Sequence, residues 1–162
     1  MRALPCDRAG GSSSLIAHAA RFPAYYADES GFDLETLDAN TKVTYGEAKR
    51  VFPFRARDTV TRIVYRELTP AHLDSIGGSA LLLHAIEHPD MPPRPGYVRA
   101  QLIRGVTLMQ SVPRQPGMTN FTFTQQVDAG GIIPPWLMNI LITQDSVNFI
   151  KRVGVAASRE RR

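Results

Sequence analysis

The spacing of apolar residues changes at residues 128–131, and this change constrains the fold more than any other feature of the sequence. Along Arg55–Glu67, before the change, β-branched and aromatic residues alternate in a pattern typical of β-strands. After it, apolar residues recur at spacings of three and four, a pattern typical of an amphipathic helix. Pro134 and Pro135 fit the first turn of that helix, because a missing backbone N–H costs nothing there. The sequence therefore predicts a run of strands followed by one helix.

Turn-forming residues divide the first part of the chain into five or six predicted strands, and short connections favour antiparallel hairpins. The strands are expected around Val43–Tyr45 and at Arg55–Glu67, Ser79–His88, Tyr97–Val112 and Met118–Val127. Gly105 is the expected bend within Tyr97–Val112. Ahead of the strands, Leu15–Phe22 is long enough for two helical turns at most. Gly154 is the expected end of the final helix.

The net charge of +4 is confined to the C-terminus. The segment Lys151–Arg162 holds five basic residues and one glutamate, so the rest of the chain is balanced. A charge limited to a tail argues against a basic face built for nucleic acid. Such a tail is either solvated or in weak contact with anionic lipid headgroups, since each basic residue near an anionic membrane contributes about 1 kcal/mol.

The sequence contains no pattern typical of an enzyme or a metal site. His84 and His88, if they lay on one strand, would be about 13 Å apart, which is too far to share one ion. A Gly-x-Ser-x-Gly elbow is absent, and the single cysteine, Cys6, lies in the Gly- and Ser-rich opening segment. We therefore expect no catalytic residue, no metal and no cofactor. The lone cysteine and the lack of an apolar run of about 18 residues favour a cytoplasmic location over an organelle or a membrane.

Three blocks of sequence, in order along the chain, resemble the START (steroidogenic acute regulatory protein-related lipid transfer) family. They are Val51-Phe-Pro-Phe-Arg-Ala-Arg-Asp-Thr-Val60, Pro95-Gly-Tyr-Val-Arg-Ala100 and Gln126-Val-Asp-Ala-Gly-Gly-Ile-Ile-Pro-Pro-Trp-Leu-Met-Asn139. The third block is the most specific, because it is a long pattern of unlike residues. It is most similar to the phosphatidylcholine-transfer branch of the family.

This resemblance implies an α+β helix-grip fold (START/Bet v 1-like), in which a curved antiparallel sheet is closed by a long C-terminal helix over an apolar cavity. Complete START domains begin with a helix and three strands that have no counterpart here. We therefore expect an N-terminally truncated domain and interpret Asp33–Leu37 as the remnant of a helix. The expected organisation is a poorly structured or non-homologous segment at 1–31, a partial START domain at 32–155 and a basic tail at 156–162.

The candidate lipid-binding residues lie on two predicted strands and on the last helix. They are Arg57, Asp58, Thr61, Ile63, Tyr65, Arg99, Trp136, Leu137, Ile140 and Leu141. Arg57 and Asp58 either form a buried ion pair for a polar headgroup or only set local conformation, with Arg57 bonded to backbone carbonyls. Arg62 and Arg66 are expected on a solvated outer face.

In the phosphatidylcholine-transfer branch, an arginine and a glutamine on the strands reach the phosphate. The arginine aligns with Ile63 or Tyr65 of this sequence, and the glutamine aligns near Gly105. The class of lipid therefore does not carry over from the resemblance.

The predicted function is non-enzymatic binding, and transfer between membranes, of one lipid, either a phospholipid or a sterol-like molecule. The expected partners are this lipid and, transiently, a membrane surface, whereas nucleic acid is not expected and the oligomeric state stays open. Two alternatives remain. One is a polyketide-cyclase-like small-ligand binder or enzyme on the same architecture, and the other is a lipid-sensing fragment of a larger regulatory protein.

Overall fold

The computed structural model describes residues 31–48, 50, 52–68, 78–112, 114, 115 and 118–159. In this part of the chain seven strands precede one helix. The strands are β1 (Phe32–Asp38), β2 (Thr41–Ala48), β3 (Ala56–Leu68), β4 (Gly78–Ala85), β5 (Tyr97–Arg99), β6 (Gln101–Ser111) and β7 (Thr119–Asp128), and the helix, α1, spans Pro135–Arg159. The predicted order of strands followed by one long helix is confirmed. The predicted helical turns at Leu15–Phe22 lie outside the described residues.

All seven strands belong to one sheet, whose order is β1-β2-β3-β4-β6-β7. Each neighbouring pair along this path is antiparallel, as hairpin connections require. The short strand β5 pairs instead in parallel with the beginning of β3. This parallel pair brings the segment between β4 and β5 back across the sheet, to the end at which β3 starts.

Three local predictions about the strands were wrong. Residues 32–38 form a strand and not the remnant of a helix, because their backbone pairs with β2 over Phe32–Asp38. The irregularity in β6 lies between Leu102 and Arg104, whereas Gly105 is regularly paired. Strand β4 ends at Ala85, so His84 and His88 do not share a strand.

The predicted end of the helix at Gly154 was also wrong. Helix α1 continues through Gly154 to Arg159. A glycine inside a helix costs only about 1 kcal/mol relative to alanine, so a helix that packs on a sheet can absorb it. The described backbone at Gly130 and Gly131, by contrast, has positive φ angles of 63° and 69°, which turn the chain from β7 toward the helix.

Alternation along the strands gives the sheet two faces with different coverings. The helix face carries an apolar cluster that packs against Phe149 and Val153 of α1. The loop face carries a second, smaller cluster of Val43, Tyr45 and Val60, which packs against residues from the segment between β4 and β5. The sheet members of the helix-face cluster are Ile63, Tyr65, Leu81, Leu83, Leu102 and Phe121.

Candidate functional site

The centre of the helix face is formed by apolar side chains on adjacent strands. Tyr65 of β3 lies opposite Leu81 of β4, and Ile63 lies opposite Leu83. All four are buried. Since residues two apart on a strand point to the same side, this register produces a continuous apolar surface across the middle of the sheet. Such a surface favours a hydrocarbon neighbour, either protein or ligand.

Helix α1 packs on this surface through its C-terminal half. The ring of Phe149 lies 4.8 Å from that of Phe123 and 6.1 Å from that of Phe121, measured between centroids, and both pairs are tilted. Val153, one turn later, belongs to the same cluster. Near the other end of the helix, the Trp136 side chain is 65% exposed. Among the described side chains, therefore, contact between helix and sheet is strongest toward the C-terminus.

A buried hydroxyl interrupts the apolar helix face. Thr107 of β6 lies opposite Leu81 on one side and Phe123 on the other, and its side chain is fully buried. Its Oγ1 has no hydrogen-bond partner among the residues that the structure describes. A buried hydroxyl without a partner costs about 1–3 kcal/mol. Such a group indicates a position where an additional polar atom would be favourable.

A charged pair lies at the β1–β2 end of the same face. Lys42 is opposite Ile63 in the register of β2 and β3, and its side chain is only 11% exposed. Its Nζ donates to both carboxylate oxygens of Asp33, at 3.1 and 3.3 Å. Burial lowers the pKa of Lys42, and the bond and charge of Asp33 oppose this effect. Sequence reasoning did not single out Lys42, although its alternation with Val43 and Tyr45 already places it on the other face of β2.

Asp58 and Arg99 lie on the loop face, not with the apolar residues of the helix face. Asp58 shares its side of β3 with Val60, and its carboxylate is buried. Arg99 binds it in a two-point arrangement, with Nε to Oδ1 at 2.9 Å and Nη2 to Oδ2 at 3.0 Å. Arg99 also donates to the carbonyls of Met91 and Pro92. The pair therefore holds the segment between β4 and β5 against the sheet, and the predicted position of both residues beside the cavity is corrected.

Tyr45, Glu47, Arg94 and Tyr97 extend this polar network. Arg94 Nη1 donates to the Tyr45 hydroxyl and to Glu47 Oε1, both at 2.6 Å, and its guanidinium lies 4.7 Å from the Tyr97 ring centroid. Tyr97 donates to the other Glu47 oxygen at 3.0 Å. Burial alone would raise the pKa of Glu47, but the hydrogen bonds from Tyr45, Arg94 and Tyr97 outweigh it and lower the pKa. Burial raises the pKa of Tyr45, and the hydrogen bond to Glu47 adds to that effect.

Arg57 is bonded to backbone carbonyls, as one of the two interpretations required. Its side chain donates to the carbonyls of Arg55 and Ala129, the latter at 3.5 Å, and its guanidinium lies 5.8 Å from the ring centroid of Phe54. An ion pair between Arg57 and Asp58 is not formed, because adjacent residues on a strand point to opposite faces. Arg57 thus joins the segment before β3 to the turn after β7.

The other predicted site residues fall into three groups. Thr61, Ile63 and Tyr65 are buried on the helix face, and whether they contact a lipid stays a prediction. Trp136 is exposed and Leu137 is half-buried. Ile140 and Leu141 are helical, but their side chains lie outside the described part of the structure. Arg62 and Arg66 are exposed on the loop-face side of β3, which confirms the prediction for them.

The described histidines lie apart, each with its own partner. His84 Nδ1 is 2.7 Å from the carbonyl oxygen of Ile103, and His88 Nε2 is 3.4 Å from Glu35 Oε2. Within the described residues, no three metal-binding side chains of His, Cys, Asp or Glu come together. In the same part of the chain, no helix combines the length and apolar character needed to span a bilayer.

The strand order, the helix and the sequence blocks agree with comparisons to known proteins. A family model described as the START domain matches residues 33–162, which is most of the chain. The chain belongs to the START domain family. The family predicted from the three sequence blocks is confirmed, and the similarity to START domain-containing protein 10 agrees with the predicted phosphatidylcholine-transfer branch.

Two relatives and two solved structures give the extent of the similarity. START domain-containing protein 10 of Homo sapiens and that of Mus musculus are each 32% identical over 108 residues, which cover 67% of this chain and 34% of the relative. The structure of human StAR-related lipid transfer protein 5 has a TM-score of 0.70 and 17% identity, over 82% of this chain and 61% of that one. The crystal structure of human STARD10 has a TM-score of 0.68 and 23% identity, over 91% and 59%.

These structural similarities confirm the predicted helix-grip fold. This START domain chain spans about a third of the length of the two curated relatives. Membership in the family supports lipid binding and transfer as the general class of function.

Proposed function

We propose that this chain binds one lipid between the helix face of its sheet and helix α1, and that it does so without catalysing a reaction. The observation that carries the proposal is the continuous apolar surface around Ile63, Leu81 and Leu83, which lies under a helix in a START domain. The polyketide-cyclase-like alternative would require several titratable groups that converge on this surface. The sheet members of the described cluster are dominated by aliphatic and aromatic side chains, which favours a lipid chain.

The lipid would replace part of the contact between helix and sheet. Trp136, Leu137, Ile140 and Leu141 lie on the N-terminal half of α1, so a lipid seated there would be covered by that half while Phe149 and Val153 keep the other half docked. An enclosed lipid can exchange only if its cover opens. We therefore propose movement of the N-terminal half of α1 during lipid uptake.

Polar groups beside this surface would orient the lipid. Thr107 Oγ1, which lacks a partner among the described residues, would bond an ester or hydroxyl oxygen of the lipid. Arg57, Asp58 and Arg99 are committed to contacts with the backbone or with each other, so we propose that their contribution is to hold the framework. The ligand is a phospholipid or a sterol-like molecule, the cell compartment is the cytoplasm, and contact with membranes is transient.

The test is native mass spectrometry of the purified chain after exposure to vesicles of mixed phospholipids and sterol. We expect a population whose mass exceeds that of the chain by one lipid molecule. A matched variant, Leu81→Glu, places a charge at a fully buried position of the helix face and should abolish the lipid-bound population, whereas Leu82→Glu, one residue along β4, exposes its charge on the loop face. Equal lipid binding by both folded variants, or none by the parent chain, would contradict the proposal.

A further inference from the structure

The most exposed large apolar side chains that the structure describes lie at one end of the sheet. Ile132 is 93% exposed, Phe52 is 84% exposed, and Trp136 follows at 65%. Scattered exposed apolar residues are normal on a protein surface. Here, however, the three highest exposures among the described residues come from two segments that meet in space, which distinguishes them from scattered ones.

Contacts between the two segments establish that they share this end. Arg57, at the start of β3, donates to the carbonyl of Ala129, just after β7. Gly130, the next residue, packs so closely on β5 that an added Cβ would lie 2.8 Å from Val98 Cγ1. Strand β5 in turn pairs with the start of β3. Phe52 precedes this junction by a few residues and Ile132 follows it, so both project from the same end, with Trp136 in the first turn of α1.

The charges at this end are mainly positive. Arg50 and Arg55 are exposed, and neither forms an ion pair within the described part of the chain. Arg57 binds carbonyls, so its charge is not neutralised by a described carboxylate. Of the nearby acids, Glu47 is bound to Arg94, and Asp128 accepts the Gly130 N–H. The first turn of α1 carries no acidic residue.

We infer that this end, formed by Phe52, Ile132, Trp136, Arg50 and Arg55 and called here the docking end, binds the surface of an anionic phospholipid bilayer. Tryptophan and phenylalanine are favoured at the boundary between headgroups and acyl chains, and arginine forms paired hydrogen bonds with phosphate. A bilayer provides both an apolar layer and an anionic layer, at the depths where these side chains and guanidinium groups would meet them. The inference deepens the proposed function and rests on it for its purpose, because a lipid carrier must meet membranes.

Position relative to the helix gives the docking end a further consequence. Trp136 belongs to the half of α1 that is proposed to open, and it is also part of the docking end. Insertion of Trp136 into the headgroup region would therefore pull on the half of the helix that covers the lipid. Docking and opening would be coupled at one residue.

The tryptophan itself reports the binding, since Trp136 is the single tryptophan of the chain. Vesicles of phosphatidylcholine, with or without phosphatidylserine, are added to the full chain, and fluorescence emission and co-sedimentation are recorded together. We expect a blue shift of the emission and stronger sedimentation with phosphatidylserine, together with quenching by lipids brominated in the upper acyl chain. Sedimentation without a change in Trp136 emission would assign binding to another surface, such as the basic C-terminus, and would overturn the inference.

Substitutions separate the apolar from the electrostatic contribution. The double variant Phe52→Ala and Ile132→Ala should lose at least about tenfold in vesicle affinity, because two large side chains no longer enter the bilayer. Arg50→Ala and Arg55→Ala should each weaken binding to phosphatidylserine vesicles about fivefold and leave binding to neutral vesicles nearly unchanged. Leu37→Ala removes an exposed apolar side chain from β1 and serves as the matched control. Arg62→Ala removes an exposed arginine elsewhere on β3 and is the control for charge.

Two outcomes distinguish this inference from the proposed function. If the Phe52 and Ile132 double variant fails to bind vesicles but keeps a preloaded lipid in native mass spectrometry, both statements hold. If the parent chain binds vesicles through Trp136 but retains no lipid, the docking end stands and the proposed function fails. A double variant that binds vesicles as tightly as the parent, or a parent chain that binds none and uses this end for a protein, would overturn the inference.

Discussion

Substitution of Thr107 by valine tests the helix face directly, because it changes one buried atom that has no partner. The hydroxyl lies between Leu81 and Phe123 and is fully buried in the lipid-free chain. Valine has nearly the same shape and removes the polar atom. Relief of the desolvation penalty should raise the free energy of unfolding of the lipid-free chain by about 1–3 kcal/mol. This is a large share of the roughly 5–15 kcal/mol that stabilises a typical domain.

The same substitution should have the opposite effect on the lipid-bound state. If Thr107 bonds an oxygen of the lipid, valine removes that bond at a cost of about 0.5–1.5 kcal/mol, which weakens lipid binding roughly two- to tenfold. Urea unfolding of the delipidated chain, followed by fluorescence, gives the first quantity. The urea midpoint should rise by about 1 M for a slope of about 2 kcal/mol per molar. Titration with a fluorescent phospholipid gives the second.

Thr44→Val provides the control for the Thr107 experiment. Thr44 is equally buried, but its hydroxyl donates to the carbonyl of Thr61 at 3.3 Å, so its loss should destabilise the lipid-free chain by about 1 kcal/mol. The two threonine-to-valine substitutions should therefore change the stability in opposite directions. Destabilisation by Thr107→Val of the same size as that by Thr44→Val would show that Thr107 has a partner in the lipid-free chain, and the reasoning would be refuted.

Three further predictions concern the framework. Phe149→Ala removes a buried ring that contacts Phe121 and Phe123 and should destabilise the chain by about 3–5 kcal/mol in thermal unfolding, whereas Val147→Ala, exposed on the same helix, should cost well under about 1 kcal/mol; equal effects would show that the helix does not dock through Phe149. Gly130→Ala places a Cβ 2.8 Å from Val98 at a positive φ and should cost more than Gly131→Ala, where the nearest atom is 4.0 Å away; urea unfolding that ranks them in reverse would contradict the geometry of this turn. Because hydrogen bonds hold the pKa of Glu47 below its usual value, its stabilising effect is complete above about pH 5 and is lost as the pH falls through the lowered folded-state pKa, so hydrogen exchange of residues 86–96 should accelerate in acid; Glu47→Gln should remove that pH dependence, and an unchanged profile would exclude Glu47 as its origin.

Periodicity predicted those properties of the strands that depend on neighbours in sequence. The orientation of Ile63 and Tyr65 toward the core and the exposure of Arg62 and Arg66 follow from alternation along β3 alone. The break at residues 128–131 and the prolines likewise predicted where the helix starts, because a glycine pair and a missing N–H act locally.

Asp58 and Arg99 were beyond the reach of that reasoning. They are 41 positions apart, and their ion pair depends on the parallel pairing of β5 with β3, which no local pattern encodes. Lys42 was missed for a related reason. Alternation along β2 separates Lys42 from Val43 and Tyr45, but only the assembled sheet reveals that the lysine side faces the helix and the valine side faces the loop.

The length of α1 was also set by tertiary contacts and not by local preference. Gly154 is a favourable stop in an isolated helix, whereas Phe149 and Val153 dock the surrounding turns on the sheet. Packing energy from two buried side chains exceeds the cost of one glycine, so the helix continues to Arg159.

The central claim, that one lipid lies between the helix face and α1, is tested most directly by photo-crosslinking. A phospholipid with a diazirine in its acyl chain is loaded into the chain and irradiated, and the modified residues are identified by mass spectrometry. We expect adducts on helix-face residues such as Ile63, Leu83 and Phe121 and on the N-terminal half of α1. The loop face offers an internal comparison, because Leu82 lies on it and is partly exposed. Adducts confined to Leu82 and its loop-face neighbours, with none on the helix face, would contradict the claim.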